Sequence, residues 1–183
     1  MYIYLKQSHS LKVKGVKALA VFGYSQSQNM KPVTQRLSLT IKNNLSEETV
    51  SIKNFNCLCG EPYKREDRLT IIPHEHVNGI SIPHSQSAEV SICGSAVFKV
   101  GVKGSLDLYK GNSERIASLS WNGPWSLTGN ILKVQDLNED KFIVKASSPS
   151  RKGILGDLIV VVEDICTAET HCFMSCATAD MLT

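Results

Sequence analysis

Short runs with an apolar residue at every second position fill the middle of this chain, and that period leaves few folds open. "RLSLTIKN" sets Leu37, Leu39 and Ile41 on one face, and "TVSIKN" does the same with Val50 and Ile52. "DRLTIIP", "GISIP" and "AEVSIC" continue the pattern, followed by "VFKVGVKGSLDLY", "RIASLSW", "NILKV", "KFIVKAS" and "GDLIVVVEDI". Successive side chains of a strand point to opposite faces, so each run reads as a strand with one face on a core. Gly, Pro, Asn and Ser punctuate the runs, and all four are turn formers. Nothing between residues 36 and 165 offers a helix of useful length. The expectation is all-β: an antiparallel β-sandwich of about ten short strands.

The flanks differ from this middle. Residues 1–35 are mixed, with "SQSQNMKPVTQ" as a linker, and read as an N-terminal extension to a domain at 36–165. Residues 166–183 are small, polar and cysteine-rich, and read as an appended tail. No apolar run approaches the about 18 residues that a membrane span needs. The short stretch "ALAVFGY", broken by Gly23, makes a poor secretory signal, so the chain is expected to be soluble when made and, if released, to act at a target-cell surface. A net charge of +3 without basic runs or interleaved aromatics excludes a nucleic-acid footprint, although it suits an anionic membrane surface.

Catalytic patterns are missing. No Gly-x-Ser-x-Gly elbow opens a helix, and "GVKGS" lacks the Gly-Lys-Ser/Thr ending of a phosphate loop. The pairs Glu47-Glu48 and Glu66-Asp67 fall in polar turns. His74, His76 and His84 are close in sequence, and the first two would share a strand face, but an exposed polar hairpin accounts for them. Cys166, His171, Cys172 and Cys176 in the tail have no zinc-site spacing. No metal and no cofactor are assigned, and the six cysteines are read as mostly free thiols. Asn44-Leu45-Ser46 is a glycosylation sequon read as a turn between the first two strands.

One stretch is unusual. "SLSWNGPWSLTG" carries both tryptophans, Trp121 and Trp125, across Asn122-Gly123-Pro124, which should not continue a strand. Trp121 closes a strand and is assigned to core packing. Trp125 follows the turn and is expected to face outward, where an indole suits the boundary between lipid headgroups and acyl chains. Burying one such ring contributes about 2–3 kcal/mol, too little alone for firm membrane binding.

In order along the chain, "LTIKNNLSEETVSIKN", "GSLDLYKGNSERIASLSWNGPW" and "GILGDLIVVVED" resemble the aegerolysin family. The matching blocks are Lys42-Asn43, Val50-Ser51-Ile52-Lys53-Asn54, Gly104-Ser105-Leu106-Asp107-Leu108, Trp121-Asn122-Gly123-Pro124-Trp125 and Gly153-Ile154-Leu155-Gly156. The resemblance implies a non-enzymatic β-sandwich that binds membrane lipid, typically sphingomyelin with cholesterol or ceramide phosphoethanolamine. It also implies the targeting half of a two-component cytolysin, haemolytic or insecticidal, with a perforin-like partner that forms the pore. Trp125, Trp121, Pro124, Cys59, Tyr63 and Tyr109 are the candidate lipid contacts. Cys59 stands where many members carry a tryptophan, and Val100 where some carry a glutamate; both departures weigh against the sphingomyelin–cholesterol mode. A pI near 8.5 departs from the acidic balance usual in the family. Two other readings remain open: a carbohydrate-binding sandwich using an exposed Trp, Tyr63 and Tyr109, and an intracellular member without lipid affinity.

Overall fold

A computed structural model of the protein describes residues 34–67 and 70–165. The tail cysteines and most of the expected N-terminal extension lie outside the described residues. The chain forms β1 (Arg36–Asn44), β2 (Val50–Cys59), β3 (Glu61–Pro62), a one-turn helix α1 (His74–Asn78), β4 (Ser81–Ile82) and β5 (Ser87–Cys93). It continues through β6 (Val102–Lys110), β7 (Glu114–Gly123), β8 (Ile131–Gln135), β9 (Phe142–Ala146) and β10 (Gly156–Asp164). Two five-stranded sheets result, ordered β3-β5-β1-β10-β9 and β4-β2-β6-β7-β8.

The period-two pattern is the reason the sheets pair. Leu37, Leu39 and Ile41 of β1 join Val90 and Ile92 of β5 and Leu158, Val160 and Val162 of β10 on one inner face. Val50 and Ile52 of β2, Leu106 and Leu108 of β6, and Leu119 and Trp121 of β7 supply the other. Each fully buried Leu or Ile contributes about 1.5–3 kcal/mol by transfer from water, so this one continuous core carries the fold.

Several expectations change in detail. β1 and β10 run parallel, in register from Leu37↔Gly156 to Asn44↔Glu163, so the sandwich is mostly rather than wholly antiparallel. Among its described residues "DRLTIIP" contains no strand: Ile71 makes a single bridge to Tyr63. His74 and His76 lie on α1 instead of a strand, because Pro73 opens a helical turn whose Val77 is buried. "VFKV" is a turn, and β6 starts only at Val102. β7 persists through Asn122 and Gly123, which pair with Lys103 and Val102, and the chain bends at Pro124.

Buried amides lock β1 at both ends. Gln35, which the sequence assigned to the extension, is fully buried. Its Nε2 donates to the Pro124 carbonyl at 3.0 Å and Asn130 Oδ1 at 3.2 Å, and its Oε1 accepts from Leu155 N at 2.6 Å. Its carbonyl accepts from Gly94 N at 2.8 Å. One residue thus gathers the connections after β5, by its carbonyl, and after β7 and before β10, by its side chain, at the same end of both sheets. At the opposite end, buried Asn43 donates to the carbonyls of Glu48 at 2.7 Å and Ile82 at 2.8 Å, and accepts from Leu45 N. That network forms the turn expected around Asn44-Leu45-Ser46.

Candidate functional site

The site sits at the Gln35 end. Pro124 O accepts from Leu127 N at 3.0 Å, which turns the chain and leaves Pro124 and Trp125 half-buried. The turn is pinned from below, since Gly153 N donates to Leu127 O at 2.7 Å and Gly129 N to Arg151 O at 2.9 Å. Buried Asn130 also donates to Ser150 O and Gly153 O. Trp125 is therefore held on a braced turn.

Beside it lies a second turn. Ser95 and Val100 exchange both backbone hydrogen bonds, at 3.0 and 2.9 Å, and Phe98 N donates to Ser95 Oγ at 3.2 Å. Lys99 takes φ 55° to close the loop. The turn lifts Val97 and Phe98 clear of the protein, at 83% and 79% exposure. The two turns meet at Gly101: a Cβ there would lie 2.3 Å from the Gly123 carbonyl oxygen and 2.9 Å from Trp125 N. Leu58, 61% exposed, and half-buried Cys59 complete the same end at the close of β2.

The other candidate residues sort by position. Trp121 is 2% exposed and stacks on Phe55 at 6.1 Å. Gly104 makes room for it, since a Cβ there would lie 2.6 Å from Trp121 Cζ2. Tyr63 is 5% exposed, so the expected surface ring is in the interior, where its backbone N–H bonds Ser91 O. Tyr109 is near the Asn43 end of β6, with Lys53 Nζ 5.0 Å above its ring, and does not join Trp125. No group of ligand-type side chains among the described residues could hold a metal. Cys57 donates to the carbonyls of Cys59 and Gly60 at 3.4 and 3.3 Å, and burial, aided by Glu61 and Cys59, pushes its thiol up to about 11.

Sequence reasoning missed Val97 and Phe98 because Phe98, Val100 and Val102 alternate like a strand. The signal available was the pair of glycines, Gly94 and Gly101, bracketing the run.

Comparison with known proteins decides the family: the aegerolysin pattern matches residues 34–165. The chain belongs to the aegerolysin family. This aegerolysin is 30% identical over 128 residues to Asp-hemolysin of Aspergillus fumigatus, spanning 70% of this chain and 91% of that protein. Its fold is similar to that of the RahU protein, with a TM-score of 0.67, 21% identity, and coverage of 73% of this chain and 97% of that one. It is also similar to IP-1A from Alcaligenes faecalis, with a TM-score of 0.62, 20% identity, and coverage of 71% and 91%.

Proposed function

We propose that this aegerolysin is a non-enzymatic membrane-lipid-binding protein that docks by its Gln35 end on a sphingolipid-type bilayer at a target-cell surface. Its docking brings in a perforin-like partner, and the partner forms the pore. The observation that carries this reading is the Ser95–Val100 turn, which presents Val97 and Phe98 almost fully to solvent beside the braced turn of Trp125. Large apolar side chains held out on a rigid turn are costly in water and gain by entering an apolar phase. Kinship with a protein named for haemolysis supports the same reading.

Burying Val97 and Phe98 contributes about 4 kcal/mol together, a millimolar contact on its own. Headgroup contacts and clustering on the bilayer supply the rest. Cys59 and Val100 leave the sphingomyelin–cholesterol mode without its aromatic and acidic contacts.

Co-sedimentation with vesicles spanning sphingomyelin, ceramide phosphoethanolamine, sterol and anionic lipids tests the reading. Retention by at least one composition is expected, with Phe98→Ser lowering it about tenfold at unchanged stability. Dye-loaded vesicles should stay intact with this protein alone and leak once the pore-forming partner is added. Absence of retention on every composition would overturn the proposal.

A further inference from the structure

A shallow groove of about 320 Å3 opens on the outward face of β6, β7 and β8, toward the Gln35 end. Strand register fixes what surrounds it. One row runs Lys103↔Asn122↔Ile131, and the next runs Ser105↔Ser120↔Lys133. Lys103 and Lys133 therefore stand at diagonal corners, with Asn122 and Ser120 between them. Both lysines are exposed, and neither makes an ion pair among the described residues.

The carboxylates of these three strands are engaged elsewhere. Asp107 accepts from Arg115, Ser118 and Asn54, and Glu114 binds Lys141 at 2.6 Å. β8 has no acid. Trp121 backs the floor of the groove from the core side, and its buried Nε1–H has no acceptor among the described residues. The indole edge bearing that nitrogen lies against Gly104, where a Cβ would be 3.0 Å from Cε2. The rim is apolar: Leu58 is 61% exposed and Ile131 39% exposed.

We propose that this groove is a headgroup site for an anionic phospholipid, with the phosphate between Lys103 and Lys133 and the glycerol or acyl root on Leu58 and Ile131. The assignment rests on the membrane reading above and adds a second lipid class, an anionic phospholipid bound beside the sphingolipid of the same bilayer. Two ammoniums, the Asn122 amide and the neighbouring Ser105 hydroxyl match a phosphate, while Ser120 already donates to Gln135 Oε1 at 2.9 Å. The groove supplies neither a spare carboxylate nor an open aromatic face, so a choline or ethanolamine cation has no partner in it. Lysine stems can lie along the apolar rim while their charged tips reach the phosphate plane.

The test uses the full chain and phosphatidylcholine vesicles with or without phosphatidylglycerol. The anionic lipid should raise retention, and added salt should reverse the gain. Lys103→Ala/Lys133→Ala should lose about 20-fold of anionic-vesicle affinity, whereas Lys42→Ala, near the Asn43 end, should lose little. Equal retention of wild type and the double variant would overturn the site while leaving the membrane reading in place. Retention by no vesicle of either kind, or of the lipid panel above, would remove both.

A second measurement does not depend on the variants folding. Backbone amide resonances of residues 103–105 and 120–122 should shift with short-chain phosphatidic acid and stay put with short-chain phosphatidylcholine. Equal shifts from inorganic phosphate at matched concentration would mean a free-anion site and overturn the lipid assignment.

Discussion

The two ends of the sandwich are built alike and finished differently. Each is closed by a buried amide on or beside β1, Gln35 at one end and Asn43 at the other. At the Asn43 end three ion pairs close over the surface, though Lys42 enters none among the described residues. Lys110 pairs with Asp164 at 3.6 Å, Arg115 with Asp136 at 3.0 Å, and Lys141 with Glu114 at 2.6 Å. At the Gln35 end, Lys99, Lys103, Lys133, Arg151 and Lys152 enter no such pair among the described residues, and Val97, Phe98 and Leu58 stand in solvent. The contrast teaches where the largest exposed apolar side chains gather, and on the proposed reading that is the end that meets the bilayer.

Removing each amide in turn would break the comparison most strongly. Gln35→Ala leaves Leu155 N and other buried groups without partners, and should cost about 2–4 kcal/mol in urea unfolding. Asn43→Ala should cost a similar amount. The two should part in vesicle binding, with Gln35→Ala weakening retention per folded molecule because it unpins the Trp125 turn, and Asn43→Ala sparing it. Equal loss of retention in both would erase the functional distinction between the ends.

The aromatic rings offer a smaller effect. Trp125→Ala should weaken vesicle retention about fivefold, and Tyr109→Ala at the other end should leave it within twofold. A blue shift of tryptophan fluorescence on vesicle addition should vanish with Trp125→Phe, since Trp121 is already in the core.

Acid titration probes the Asn43 end most gently. Partial burial works to raise the Asp164 carboxyl, but hydrogen bonds from Ser46 and the Lys110 ammonium outweigh it and hold the group below its ordinary range. A carboxyl lowered by folding stabilises the fold above its unfolded value, near about 4, and that contribution drains as pH falls through the lower folded value. Asp164→Asn should therefore be less stable than wild type at neutral pH by about 1 kcal/mol or less, because the group is only partly buried and asparagine keeps part of its hydrogen bonding. The difference should close at strongly acid pH, as followed by thermal melts.

The fold was legible because period-two runs and turn residues depend on local chemistry alone. The all-β class and the interior place of Trp121 followed from it, whereas β3 was not foreseen and the run at "DRLTIIP" supplied only a single bridge among its described residues. Partner-dependent features did not follow. The parallel β1–β10 pairing joins residues more than a hundred positions apart, and no local pattern encodes it. Tyr63 is buried by the bridge to Ile71 and its bond to Ser91, neither visible from its neighbours in sequence. Gln35 looked like a polar linker residue, since only the assembled loops bring Pro124, Asn130 and Leu155 to its side-chain amide and Gly94 to its carbonyl. The Val97–Phe98 turn was hidden by an alternation that belongs to no strand.

The parallel seam between the earliest and latest strands has a mechanical consequence. β1 begins at the Gln35 end and β10 finishes at the Asn43 end, so a pull between the two termini of the domain slides these neighbours past each other. Such a pull stretches the whole row of rungs at once instead of unzipping them singly. A subunit gripped by a bilayer at one pole and tugged by a remodelling neighbour at the other would meet that force along its most resistant direction.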